Sequence, residues 1–339
     1  MTEYHEKARA IFLTVVMVLS MVGSGIAFSG GAAAQTADIT VSADGSTNYA
    51  SIQNAVDNAT AGDVIEVKGG TYREEVTVNK SVDLVAGSGG VILNGSTLPS
   101  GADGINITTG NTVGPTIDGF AITGYEDAVD ARNTAGDWTL VNTTVDDAVF
   151  GISAFESTGN WTIQNATVTG GSFGIDASVS SGEWEIANTT VRNASNAGIA
   201  AEDGTGNGTV YNATVVNSST GIEITLSDGD VTITESTFTN NSIGVSAKST
   251  TGEWTIEESR IHNNSVEGLN ATGAVIDGNA LYNYWGAPDG PSGLFGGSGD
   301  AVFGEVEISP YYTDEALTDL AGVRVDANPV VNTTVSRVS

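Results

Sequence analysis

The sequence predicts an all-β solenoid: a parallel β-helix with three short strands in each coil of about 23 residues, opened by a short capping helix. Three observations carry this. Between positions 136 and 272 one unit recurs, roughly G-x-W-T-I-x-N-x-T-V-x-N followed by G-I-x-A. Trp138, Trp161, Trp184 and Trp254 mark the unit starts, and Gly208 and Val231 hold the same slot in the two units between. Within a unit, apolar residues alternate with polar ones, as in Trp161, Ile163, Ala166, Val168, Ile175 and Ala177. That is the strand period, and nothing here repeats at helical spacing. Finally, the units align into columns. Ile122, Val145, Val168, Val191, Val215, Phe238 and Ile261 form one aliphatic ladder, and Ile152, Ile175, Ile199, Ile222, Val245 and Leu269 a second. A single unit cannot bury its apolar face alone, so neighbours must stack. A leucine-rich horseshoe would need a Leu/Asn consensus that is absent.

Two further columns describe the bends. Gly151, Gly174, Gly198, Gly221, Gly244 and Gly268 precede the second ladder, where glycine suits either a positive φ or a close backbone approach. Two residues after the first ladder stand Asn193, Asn217, Asn240, Asn263 and Asn283. Asparagine tolerates left-handed geometry, and stacked amides are expected to bond along the turn. With these columns the chain resembles the right-handed parallel β-helix proteins of the pectate-lyase-like superfamily, over roughly residues 39–312. The resemblance implies a right-handed coil. It leaves activity open, because that fold carries lyases, esterases, hydrolases, epimerases and proteins without catalysis.

Taken in order, residues 1–34 read as a signal peptide. Lys7 and Arg9 supply a positive start, positions 11–22 an apolar core, and Ala32, Ala33 and Ala34 a cleavage site. The wording EKARAIFLTVVMVLSMVGSGIAFSGGAAA resembles signal peptides of surface-layer glycoproteins in halophilic archaea, which implies export to the cell surface. Residues 35–312 are expected to form the β-helix. Near its start, at about 49–59, Ile52, Ala55, Val56 and Ala59 at helical spacing predict the cap, with Ser51 as N-cap. The stretch that follows is similar to the opening coils of pectin methylesterases and of many non-esterase β-helices. NYWGAPDGPSG at 283–293 resembles the closing motif of β-helix repeat proteins, with Trp285 expected to cover the last coil. Residues 313–339 lack periodicity and read as a C-terminal tail, and no membrane span is expected after signal cleavage.

The chain has no cysteine, so stability must come from stacking and hydrogen bonds rather than disulfides. Eleven Lys+Arg face 41 Asp+Glu, a net charge of −30. Such a surface disfavours nucleic acid and anionic polymers. With 40% hydrophobic residues and strong periodicity it reads as a salt-adapted surface on a folded protein, not as disorder. Two His and three Met are a poor supply of soft-metal ligands.

Candidate chemistry is sparse. The tryptophan column keeps the parity of the core ladder, which predicts core stacking rather than a sugar platform. Asp127, Asp130 and Arg132 form the densest charged cluster. The β-helix lyases hold Ca²⁺ with acids and use a basic residue to remove a proton, so Asp127 and Asp130 are candidate Ca²⁺ ligands and all three are catalytic candidates. A solvated acidic face is the competing reading. Asp147, in VDDAVFG, resembles the nucleophile stretch of pectin methylesterases only at Asp147, Phe150 and Gly151, and it also falls in the asparagine column. Arg260 and His262 share one outward face, expected near Tyr282. Sequons are dense. Asn58, Asn106, Asn142, Asn160, Asn207 and Asn270 are candidate glycosylation sites, whereas Asn193 and Asn240 are expected to be buried in the ladder.

The regular coil length leaves no cleft-forming insertion from 136 to 272. Two readings follow. One is an exported cell-surface protein of structural or carbohydrate-binding character, without cofactor, facing extracellular polysaccharide or a cell-envelope glycoprotein. The other is a polysaccharide-modifying enzyme, a lyase or esterase, with possible Ca²⁺.

Overall fold

Alternating, β-branched runs of three or four residues cannot form a sheet by themselves, and here they pair coil on coil. The computed structural model describes residues 37–108, 110, 114–275 and 278–322, in one compact unit beginning at Asp38. The expected leader (1–34) and the tail residues 323–339 lie outside the described residues.

Three parallel sheets run the length of the solenoid. Sheet I has twelve strands, from Ile39–Val41 to Val306–Glu307. Sheet II has nine, from Gly70–Tyr72 to Arg260–His262. Sheet III has eleven, from Val76–Val78 to Pro291–Gly293. The register is the one read from the repeat. Trp138 pairs with Trp161 and Trp184, Val145 with Val168 and Val191, and Ile152 with Ile175 and Ile199. Adjacent coils therefore lie about 4.8 Å apart, and both aliphatic ladders are fully buried.

Through the regular coils each corner of the triangle carries a left-handed residue, and most are not glycine. Between sheets I and II these are Asn142, Asn165, Asn188, Asn212, Glu235, Glu258 and Tyr282. Between sheets II and III they include Asp147, Asn193, Asn217, Asn240 and Asn263, and between III and I they include Asn133, Glu156, Val179, Asp203 and Leu226. The αL turn is why asparagine and aspartate recur. The glycine column before the second ladder has a different cause. None of its members has a positive φ. A Cβ on Gly174 would stand 2.3 Å from Val191 Cγ1 and 2.6 Å from the Gly198 carbonyl oxygen, so close approach requires glycine there.

The indoles are core, as their parity predicts. Trp138, Trp161 and Trp184 stack with centroids 5.3 and 5.7 Å apart and planes within 13°. The asparagine column differs from expectation. Asn193, Asn217, Asn240 and Asn263 are exposed, so Asn193 and Asn240 are not buried. The inward amides belong to the next residue. Asn241 and Asn264 donate to the carbonyls of Val215 and Phe238, and their Oδ1 atoms accept from the backbone N–H of Ser218 and Asn241. Asn283 is buried at a different corner, where it accepts from Ser259 N–H and donates to the Ile256 carbonyl. One residue of corner geometry separates the two files, and side-chain type alone does not distinguish them.

At the N-terminal end, helix α1 (Ile52–Asn58) lays Ile52, Ala55 and Val56 on the core. Ser51 Oγ accepts from Asn54 N–H, and the Glu74 carboxylate accepts from Ile52 and Gln53 N–H at 2.9 and 3.0 Å. At the far end Trp285 is fully buried, and Val306–Glu307 extends sheet I. The segment from 313 is not an unstructured tail throughout. Leu320–Ala321 pairs antiparallel with Tyr311–Tyr312, so a boundary at 312 cuts a hairpin.

Candidate functional site

Period-two alternation sends every second residue of sheet III outward. Register places Asp130, Ser153, Asp176, Ala200, Glu223, Ser246 and Asn270 in one outward column. Beside it runs Asp127, Phe150 and Phe173, whose rings stack at 6.3 Å. This face is recessed: Ser153, Ser246 and Asn270 point outward yet are 3%, 1% and 7% exposed.

The charged cluster sits at one end of this face. Arg132 Nη2 lies 2.9 Å from Asp127 Oδ2, and its Nε lies 2.9 Å from Asp130 Oδ1. Asp127 is 2% exposed, and among the described residues its Oδ1 has no hydrogen-bond partner. Burial pushes its carboxyl up to about 7. Arg132 opposes that rise, and Asp130, Asp103 and Glu126 add to it. The Arg132 guanidinium is raised, first by its hydrogen bond to Asp130. Further along the face, burial raises Asp176. It also raises Glu202, where repulsion from Glu223 adds to the effect.

The cluster predicted from sequence is thus assembled, with Arg132 clamped between the two acids. Its donors do not fit calcium, which needs six to eight oxygens. Asp127 Oδ2 and both Asp130 oxygens are engaged by Arg132, and among the described residues no three His, Asp or Glu side chains converge on a common point. Asp147 is not part of the cluster. It is an exposed, left-handed corner residue (φ 53°), and among the described residues nothing hydrogen-bonds its carboxylate.

Arg260 and His262 face the C-terminal hairpin. Arg260 Nε donates to the Glu315 carbonyl at 2.7 Å. His262 Nε2 lies 3.7 Å from Glu315 Oε1, and its ring packs on Tyr284 rather than Tyr282. A cavity of about 310 Å³ opens here between Glu235, Glu258, Arg260, Tyr312 and Leu317. Sequence reading missed it, because Tyr312 and Leu317 come from the segment read as closing strand and tail.

Of the glycosylation candidates, Asn58, Asn142, Asn160 and Asn207 are exposed, and Asn106 is half-buried on sheet III. Asn270 is buried and donates to Glu267. Five sequons were missed: Asn79, Asn94 and Asn332 and, in the asparagine column, Asn217 and Asn263. The asparagine column itself was the signal that could have found the last two.

Residues 82–238 match the family model described as right handed beta helix region. No curated protein matches the chain. Among solved structures, the chain is similar to XylC in complex with xylose (12% identity, 83% of this chain and 76% of that one, TM-score 0.56). It is also similar to pectate lyase Pel9A (13%, 82% and 79%, 0.51) and a rhamnogalacturonan lyase (12%, 81% and 86%, 0.50). At these identities the likeness is one of fold.

Proposed function

We propose that the protein is an exported, salt-adapted cell-surface β-helix that binds carbohydrate through the outer face of sheet III. The observation that carries this reading is the recessed polar column. Apart from Ala200, hydroxyls, carboxylates and one amide follow one another at about 4.8 Å steps, with Asp130, Asp176 and Glu223 half-buried between the nearly buried Ser153, Ser246 and Asn270. Such a row offers hydrogen bonds to successive hydroxyls of an extended glycan, and stacked coils hold it rigid. The regular coils supply no loop walls, which supports binding rather than enclosure of a reaction.

One observation favours an enzymatic alternative. Asp127 holds a proton to about pH 7 beside Asp130 and Arg132, and a carboxyl in that range suits general acid or base work. In this reading the protein modifies extracellular polysaccharide, as a lyase or esterase. Asp127 would exchange the proton and Arg132 would hold an anionic group of the substrate.

The test uses residues 35–339 in molar salt on uronate, methylated, acetylated and neutral polysaccharides. Affinity electrophoresis and product release are read in parallel, with Asp127→Asn, Asp147→Asn and Asp176→Asn beside the parent. Retardation by one glycan, weakened by Asp176→Asn and without turnover, is the expected result. Turnover abolished by Asp127→Asn would replace the binding reading with the enzymatic one. Neither retardation nor turnover on any glycan would leave a purely structural protein.

A further inference from the structure

The two corners that bracket sheet II carry an unexpected coincidence of residues. Between sheets I and II, Asn142, Asn165, Asn188 and Asn212 are left-handed and exposed, and each is followed two residues later by a threonine. Between sheets II and III, Asn193, Asn217, Asn240 and Asn263 are also left-handed and exposed, and each is followed by a serine. Turn geometry explains the asparagines, and strand preference explains some of the hydroxyl residues. Neither explains the pairing. Where the same corner positions hold Gly119, Glu258, Tyr282, Gly124 or Asp147, position +2 is Ala121, Arg260, Tyr284, Glu126 or Val149. Only Glu235 and Gly170 are followed by a hydroxyl residue, Thr237 and Ser172. At the third corner the asparagine, Asn133, is followed by Ala135.

The two files differ in their amides. Asn142 Nδ2 donates to Asp118, Asn165 Nδ2 to Asn142 and Asn212 Nδ2 to Asn188, which ties up three of the four nitrogens in that file; among the described residues Asn188 accepts but does not donate. Asn263 Nδ2 lies 2.8 Å from His262 Nδ1. The side chains of Asn193, Asn217 and Asn240 make no hydrogen bond among the described residues. An exposed turn ending in an unengaged amide, with a hydroxyl at +2, is the acceptor form for N-linked sugar.

We propose that Asn193, Asn217 and Asn240 are N-glycosylation sites, modified on alternate coils. The proposal rests on the reading that the chain is exported. The sugar donor is an oligosaccharide carried on a lipid phosphate, and a transferase of the exporting cell catalyses the step. The amide Nδ2 bonds to C1 of the oligosaccharide as the C1–O bond to phosphate breaks. The lipid phosphate leaves with the electron pair, and the amide proton passes to a base of the transferase. Acceptors on neighbouring coils lie about 4.8 Å apart, too close for two oligosaccharides side by side. Asn193 and Asn240, two coils apart, are modified together, and Asn217 is modified on other molecules.

Trypsin cleavage after Arg192 and Lys248 yields one peptide, 193–248, that carries all three asparagines, so occupancy and its exclusivity are read on single molecules. The full chain is recovered from the envelope and medium of its producing cells and sequenced by glycopeptide mass spectrometry. The expected result is glycan on Asn193 with Asn240, or on Asn217, but not on Asn193 with Asn217. Ser195→Ala or Ser242→Ala, which keep the corner asparagine, should each remove one glycan without moving the thermal transition. Exported chain with these asparagines unmodified overturns this proposal and leaves export standing. Chain confined to the cytoplasm with its leader intact overturns both. Occupancy at Asn142 and Asn165 instead overturns the choice of file, and joint occupancy of Asn193 and Asn217 overturns the alternation.

Discussion

Trp161 shows how a residue can be both anchor and liability. It lies between Trp138 and Trp184 in a stack, yet among the described residues its buried Nε1 has no acceptor. An unsatisfied buried donor costs about 1–3 kcal/mol, against the gain from stacking and burial. Trp161→Phe keeps a ring and removes the donor, and it should change stability by no more than about 1 kcal/mol. Trp161→Ala empties the layer and should cost about 3–5 kcal/mol; urea unfolding of the two variants separates them. Asp127 tests the electrostatics. Its carboxyl is raised to about 7 by burial, so between about pH 4 and 7 the folded state binds a proton that the unfolded state has released. Its contribution is therefore fully present below about pH 4 and is lost as pH rises through 7. Burial raises Asp176 and Glu202 in the same direction. Asp127→Asn should flatten the fall in thermal midpoint across that window. An unchanged slope would show that the carboxyl is already ionised.

At the scale of elements, the sheets were legible in the sequence and the corners were not. Strand parity is local, so the inward placement of Val168, Ile175 and Trp161 could be read from alternation alone. A corner reverses the chain within one or two residues. Its inward amide, Asn241 or Asn264, stands next to an exposed one, Asn240 or Asn263, of the same chemical type. The charged cluster was legible as a concentration of charge. The clamp of Arg132 on Asp127 and Asp130 depends on the outward columns of sheet III and on the burial of Asp127, which spacing does not give. Helix α1 was visible through Ser51 and its apolar spacing, but its second capping group, Glu74, comes from a strand-flanking position 22 residues beyond Ile52. Losing a side-chain cap costs about 1 kcal/mol. Glu74→Ala should therefore loosen the helix and raise hydrogen exchange in Val64–Val67 before the central coils respond. Equal exchange throughout would mean that the cap does not protect the first coils.

Across the whole molecule, stacking coil on coil also brings some like charges onto neighbouring coils, as at Glu235 and Glu258. With a net charge of −30, the molecule's acids far outnumber the cations that could pair with them. Among the described residues, the ion pairs that need no protonated histidine are those of Arg132 with Asp127 and Asp130. Glu258, raised by burial and then by Glu235 one coil below, shows the repulsion that a coil repeat imposes on its outer columns. Neighbouring coils are about 4.8 Å apart and second neighbours about twice that. The screening length falls from about 10 Å at 0.1 M salt to about 3 Å at 1 M. Raising salt across that range therefore removes repulsion between coils while leaving the buried ladders untouched. The thermal midpoint should climb continuously with KCl and NaCl alike, well beyond 0.1 M. Millimolar CaCl2 should reproduce little of the gain, because no assembled site exists among the described residues to concentrate the ion. Thermal unfolding followed by circular dichroism across both titrations decides between the two. A rise that saturates at millimolar calcium would mean a bound cation that the described side chains do not assemble. A midpoint indifferent to KCl would mean that the acidic excess serves something other than life in salt.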